Sequence, residues 1–505
     1  MESLETLILS GCSKLEHLAD FTMTKNLKSL NLEGCTSLVD VHPSIAFLPK
    51  LELLNLRDCK CIWSLPAKFG MESLETLILS GCTNLQRFPE ITKKMELLQE
   101  LYLDGTSIEE LPSSIGDLSS LKVLNLSSCS VFENLPPSFL QRIYKKGCRV
   151  LLPSLNPTLF KKSPNSIALT LTRFSGLSSL TELNISGRNL CEGALPNDIC
   201  CLSSLETLIL THNNFVSLPA NLCQLTKLLR LELWDCKKLE SLPELPSSIK
   251  AVGLGGCASL EIVPNPTKPY NPWKRRSYNP IWSKAYCYSV NCFKLVGNDN
   301  ALGMLKGHIK AIAKAKTIFD MLIPGSKIFE WFNHQSEEGS VMISMPPNLQ
   351  NDGDQWMGIA VCCVFVPPSN NDDWIRDLAM CTVIIHSIDF QHRLPTYGFN
   401  FHSDSHRILK DHLWLGYLPR DIVDYFWNDE SGDCKVKKCI GIKILFETLG
   451  IGPKVKKCGA RLVYRSNMED MDPTIEQSST PTSTNFSDIH QDSTDGLSKK
   501  RKRYF

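Results

Sequence analysis

No apolar run in these 505 residues is long enough to cross a membrane as a helix; the longest, residues 357–366, is about half of the ~20 required. Neither sign of charge prevails. With 54 Lys and Arg against 53 Asp and Glu, nothing global draws the chain to nucleic acid or anionic lipid, and a partner must be chosen by local surface. The G-x-x-x-x-G-K-[ST] phosphate loop is missing, so no cofactor is expected. The first residues show no charged segment leading into an apolar core, which predicts a soluble, cytoplasmic protein. Twenty-one cysteines is an odd number in a long chain without an export signal, which favours reduced thiols over a disulfide framework.

What is present is a repeat. The string MESLETLILSGC opens the chain and returns unchanged at residues 71–82. Aligned on it, the frame L-x-x-L-x-L-x-x-C/N/T recurs at Leu4, Leu27, Leu51, Leu74, Leu98 and Leu121 and, after a gap, at Leu180, Leu205, Leu228 and Ile249. Its spacing alternates between 23 and 24 residues in the first six frames. This is leucine-rich repeat periodicity, one short strand and one returning segment per turn of a horseshoe-shaped α/β solenoid over residues 1–264. The Cys, Asn or Thr ending each frame is small and carries a donor suited to a backbone carbonyl of the turn. Segments such as Leu111-Pro112-Ser113 and Leu218-Pro219-Ala220 place a helix-starting proline on the convex side. Residues 130–176 interrupt the pattern with a basic, proline-containing insertion, expected to be irregular. Because the chain starts directly on a strand, a capping segment upstream of Met1 is expected in the natural molecule.

Alternation along each strand sends the non-leucine positions to the concave face. The candidate partner-binding residues there are Arg57, Asp58, Tyr102, Asp104, His212, Arg230, Glu232, Trp234 and Asp235, since exposed aromatic and Arg side chains dominate protein recognition.

Residues 265–282, rich in Pro, Asn and basic side chains, read as a linker. Beyond them the texture changes. Residues 301–316 space Leu302, Leu305, Ile309 and Ile312 along one helical face, and short apolar strands follow to residue 465. One helix and an all-β sandwich of jelly-roll type are expected over residues 283–465.

The motifs Asn291-Cys292-Phe293-Lys294-Leu295, Ile323-Pro324-Gly325-Ser326, Glu330-Trp331-Phe332-Asn333-His334, His412-Leu413-Trp414-Leu415-Gly416-Tyr417 and Lys457-Cys458-Gly459 carry a resemblance. They resemble the post-repeat domain, or C-JID, of plant TIR-type nucleotide-binding leucine-rich repeat immune receptors, and the Cys-type repeats are similar to theirs. Phe329 and Lys327 depart from the usual pattern beside Glu330. The resemblance implies a sensor that recognises a pathogen effector or a guarded host protein and takes part in defence. It also implies a full-length receptor as a further partner, and no catalysis here, because no stretch reads as the TIR enzyme or the nucleotide switch. Two other readings are a stand-alone regulator or decoy of such a receptor, and a leucine-rich ubiquitin-ligase adaptor.

Metal and enzyme readings rest on less. Cys434, Cys439 and Cys458 lack the paired C-x-x-C of structural zinc sites. Cys362, Cys363, His386 and His392 have no motif that would single out a nucleophile, so buried strand cysteines are expected. Residues 466–505 are Ser-, Thr- and Asp-rich and read as a disordered tail. The tail carries a basic run, Lys499, Lys500, Arg501, Lys502 and Arg503, of nuclear-import type.

Overall fold

A three-residue strand whose leucines all point one way is stable only if the next turn of chain lays an identical strand beside it. The computed structural model describes residues 3–127 and 176–264 apart from 93–94, 109 and 196. Further on it describes 284–295, 298–312, 318–344, 356–367, 377–387, 391–393, 397–401, 408–423 apart from 422, 439–449 and 454–468. Most of the insertion, the stretch 265–283, and the tail from 469 with its basic run Lys499 to Arg503 lie outside the described residues.

Within the repeats the strands are β1 (Thr6–Ile8), β2 (Ser29–Asn31), β3 (Leu53–Asn55), the convex β4 (Lys68–Phe69), β5 (Thr76–Ile78), the convex β6 (Glu90–Ile91), β7 (Glu100–Tyr102), β8 (Val123–Asn125), β9 (Glu182–Asn184), β10 (Thr207–Ile209), β11 (Arg230–Glu232) and β12 (Ala251–Gly253). All but the convex pair form one parallel sheet in register, with Leu7, Leu30, Leu54 and Leu77 as consecutive partners. Those of the second turn onward are fully buried, each contributing ~2 kcal/mol of apolar burial. The sheet does not break at the insertion: Leu124 pairs directly with Leu183, and the Leu126 N–H donates to the Asn184 carbonyl at 2.7 Å.

The frame-ending side chains stack into a ladder. Cys35 Sγ donates to the Leu9 carbonyl, Cys59 to Leu32, Cys82 to Leu56, Cys236 to Leu210 and Cys257 to Leu233, at 3.1 to 3.4 Å. Asn213 makes the same bond to Ile185 at 3.0 Å. Burial pushes the Cys59, Cys82 and Cys236 thiols up to about 12, so they remain protonated donors. In the frame of Leu180 the ladder position falls to Arg188, whose Nε donates to the Leu126 carbonyl and whose Nη1 donates to Ile108 at 3.1 Å. Burial draws this guanidinium down to about 10. On the convex side the proline segments form 3-10 helices, Ser113–Asp117 and Ala220–Gln224, each with its proline at the N-cap.

The sheet then continues where a separate domain was expected. Strand β13 (Lys284–Tyr288) pairs parallel with β12, placing Cys287 beside Val252, and Cys292 Sγ donates to the Leu254 carbonyl at 2.9 Å as the next ladder rung. The sheet and its ladder thus run from the repeats into the strands that follow. Helix α1 (Asn298–Ile312) crosses over to β14 (Ile318–Pro324), again parallel, and buries Leu305 and Ile309 of the expected helical face. The remaining strands are β15 (His334–Ser336), β16 (Ser340–Ser344), β17 (Trp356–Val366), β18 (Asp377–Ser387), β19 (Gln391–Arg393), β20 (Tyr397–Phe401), β21 (His412–Pro419), β22 (Cys439–Leu449) and β23 (Lys454–Tyr464).

After β14 the main sheet turns antiparallel in the order β21, β17, β23, β15, while β16, β22, β18, β19 and β20 form a second sheet packed against it. The unbroken apolar run of β17 now has its reason. Ile359, Val361, Cys363 and Phe365 face the sandwich core, and Ala360, Cys362 and Val364 extend the leucine core on the other side. No helix among the described residues is long and apolar enough to cross a membrane.

Candidate recognition surface on the concave face

The nine expected residues fall into three groups along the concave side. On the third turn Arg57 and Asp58 are both exposed. The Arg57 N–H donates to Asn55 Oδ1 at 2.9 Å, an Asx turn that Asn31, Asn125 and Asn184 repeat on their own turns. On the fifth turn Tyr102 is half-buried and its hydroxyl donates to Glu100 Oε2 at 3.2 Å, while Asp104 accepts from Ser80 Oγ at 2.7 Å and Asn125 Nδ2 at 3.1 Å. Burial, then the neighbouring carboxylate of Glu100, push the Tyr102 phenol up.

The other five gather on the eighth and ninth turns. His212 Nδ1 lies 3.8 Å from Asp235 Oδ2, and Arg230, Glu232 and Trp234 follow one another along the concave side of β11 and its exit. Asp58, His212 and Asp235 share a second task. Their φ angles are 57°, 56° and 55°, at the strand exit where other turns place Gly11, Gly34, Gly81 and Gly256 in the same left-handed conformation. They are lip residues of the turn and do not belong to the alternating concave row. The carboxylates of Asp58 and Asp235 each lie over the glycine of the following turn, Gly81 and Gly256. Burial raises the Asp235 pKa against the pull of His212 and Lys237.

Around Glu232 the structure adds residues that the frame did not reveal. Trp234 Nε1 donates to Glu232 Oε2 at 2.6 Å, and the Tyr286 hydroxyl donates to Glu232 Oε1 at 3.1 Å. The Tyr286 and Tyr288 rings stack with centroids 4.6 Å apart. Tyr288 donates to Asp320 Oδ1 at 3.0 Å, and Trp414 Nε1 donates to Asp320 Oδ2 at 3.3 Å. Burial raises the pKa of Glu232 despite the two bonds it accepts, and it raises Tyr288 further. Gly253 and Gly255 leave the shallow bed on which the Trp234 indole rests; any side chain there would strike it.

Past this point the concave face changes character. Val290, Leu322 and Trp414 lie on the same face of the sheet but inside the sandwich core, and Trp234 and Tyr288 pack against its edge. Asn291, also left-handed with φ 60°, donates its N–H to His412 Nε2 at 2.9 Å, and His412 Nδ1 binds the Lys410 carbonyl at 2.8 Å. Burial holds His412 neutral, with its pKa down to about 4. This buried imidazole clasps the last solenoid turn to β21.

The cysteines of the enzyme reading behave otherwise. Cys362 and Cys363 are buried in β17, and burial holds both thiols well above their ordinary range. Among the described residues no group of three or more metal-ligating side chains forms; Cys434 and the side chains of Cys439 and His392 lie outside them.

Comparison with known proteins matches residues 69–265 to the family of leucine-rich repeats of disease resistance proteins of RPS4B-like type, and residues 323–469 to the C-JID domain. The chain is a disease-resistance repeat array joined to a C-JID domain. It is 31% identical over 408 residues to TMV resistance protein N of Nicotiana glutinosa, covering 72% of this chain and 35% of that protein. With disease resistance protein RPS4B of Arabidopsis thaliana it shares 27% over 489 residues, covering 92% and 37%. With disease resistance-like protein DSC1 of the same plant it shares 30% over 479 residues, covering 89% and 35%. The chain thus spans about a third of the length of these relatives. Strand β13 and helix α1 lie between the two matched regions, and they are the elements that weld the C-JID domain to the repeats.

Proposed function

We propose that this chain is the recognition region of a plant immune receptor, binding a pathogen effector or a guarded host protein, and that it does no chemistry of its own. The observation that carries the reading is the seam. Arg230, Glu232 and Trp234 of the repeats and Tyr286, Tyr288 and Asp320 of the following turns form one aromatic and acidic cluster where the open concave face meets the C-JID sandwich. A protein docking there touches both parts at once, and aromatic and Arg side chains of this kind supply most of the energy at interfaces. The relatives, disease resistance proteins, support the same reading. The compartment that fits is the cytoplasm, with the Lys499 to Arg503 run as a route to the nucleus.

The test is a pull-down from infected leaf tissue with the full chain as bait, followed by titration of the captured protein. Arg230→Glu combined with Tyr102→Ala is expected to weaken binding by ~10-fold or more, because both side chains reach the open face, while leaving the unfolding transition in place. Unchanged affinity in the double variant would move the binding surface away from the concave face.

A further inference from the structure

The convex side carries a pair of thiols that stand apart from the cysteine ladder. The ladder cysteines are buried, each with its Sγ on a backbone carbonyl. A second group stands elsewhere. Cys200 and Cys201 end the 3-10 helix Asn197–Cys201, and Cys223 lies in the 3-10 helix Ala220–Gln224 of the next turn. The repeat here measures 23 residues, from Leu205 to Leu228, so Cys200 and Cys223 occupy the same place on successive turns. Local hydrogen bonding agrees: Leu202 N–H bonds back to Ile199 and Leu225 N–H to Leu222, at 3.1 Å each, with the cysteine directly after the acceptor in both. Both thiols are half-buried, and the two helices pack side by side.

Turns stack closely on this side of the solenoid. Gly70 N–H donates to the Ala46 carbonyl at 2.9 Å and Glu240 N–H to Val216 at 3.0 Å, each across one repeat, and β4 pairs with β6 in parallel. Stacked strands lie ~5 Å apart, within the ~4.4–6.8 Å that a disulfide spans between Cα atoms, and the two helices that carry Cys200 and Cys223 pack directly on each other one repeat apart.

We propose that Cys200 and Cys223 form a redox pair that closes to a disulfide with a hydroperoxide as oxidant. The thiolate of one cysteine attacks a peroxide oxygen, the O–O bond breaks, and a sulfenic acid forms as the first water leaves. The sulfur of the second cysteine attacks the sulfenic sulfur, the S–S bond forms, and the hydroxyl leaves as a second water. Two thiols lose two electrons and two protons, and hydrogen peroxide becomes two waters. The bond would staple the turns on either side of β10. The second of those turns carries His212 at its strand exit and is followed directly by β11 with Arg230, so oxidation would fix the spacing at this end of the recognition surface.

The experiment uses the full chain, treated with hydrogen peroxide or with dithiothreitol, alkylated, and cut by a Glu-specific protease. No Lys or Arg lies between the two cysteines, but Glu206 does, so this cleavage places them on separate peptides. Expected is a Cys200–Cys223 linked peptide after peroxide that dithiothreitol abolishes, together with a higher unfolding midpoint for the oxidised chain. Cys201→Ser should keep the link. Cys223→Ser should lose it and leave a sulfenic acid at Cys200 that dimedone traps. Alkylation of both thiols at peroxide concentrations that oxidise exposed Cys61 would overturn the proposal, as would a link that disappears in Cys201→Ser.

Discussion

One sheet runs through this molecule, yet its two halves treat the same face oppositely. From β1 to β11 the concave face meets solvent, and each concave strand flanks its core leucine with at least one Ser, Thr, Asn or charged residue. From β14 onward that face is roofed by the second sheet, and alternation disappears: β17 and β21 are apolar on both sides. The difference shows what roofing does to a repeat surface. An unroofed face can change its outward side chains without disturbing the core, whereas a roofed one must match a partner sheet, so variation belongs to the first half and rigidity to the second.

The largest expected effect tests the roof. Trp414 is buried, stacks on Phe365 with centroids 6.1 Å apart, meets Phe446 edge-on at 5.8 Å and donates to Asp320. Trp414→Ala should cost ~3–5 kcal/mol by denaturant titration. A loss no greater than a solvent-facing concave substitution, ~0.5 kcal/mol, would mean that the roof is not a cooperative part of the fold.

Next comes the clasp between the halves. His412 is neutral when folded, with its pKa lowered to about 4, so the unfolded chain binds its proton first. Its contribution is complete above the unfolded value of ~6.5 and is lost as pH falls from there toward about 4, a change of order 3 kcal/mol. His412→Gln can retain both hydrogen bonds without titrating and should flatten that part of the stability profile. An unaltered profile would place the acid sensitivity elsewhere.

The smallest effect concerns the border. Trp234 counts among the candidate binding residues, but its indole rests on Gly253 and Gly255 and packs against the sandwich. Trp234→Ala should therefore cost ~1–3 kcal/mol of stability, where Arg57→Ala, exposed on the open half, should cost under ~0.5. Equal small values would mean that the contact of the indole with the sandwich edge adds nothing to stability.

Much of this was legible in the residues. The repeat frame locates every concave strand up to β12, though not the convex β4 and β6, and the apolar run of residues 357–366 locates β17. The turn at β13 was hidden because Lys284, Cys287 and Ser289 stand where leucines mark the other frames, and only Cys292 keeps the ladder. Without that turn residues 265–282 read as a divider, and Tyr286, Tyr288 and Asp320 could not be placed beside Glu232. Arg188 was hidden likewise, since a charged residue at a ladder position matches no small-donor rule. The lip role of Asp58, His212 and Asp235 was recoverable: aligning frames sets each against a glycine, and that substitution pattern signals a left-handed backbone.

The direct pairing of β8 with β9 separates distance along the chain from position in the stack. Leu124 meets Leu183 in the same register as neighbours only 23 residues apart, so the stacking imposes no length on what connects them. Lengthening such a connection is cheap, ~0.6 kcal/mol for each doubling. A change in the length of this one connection therefore leaves the pairing of the strands that flank it unaltered.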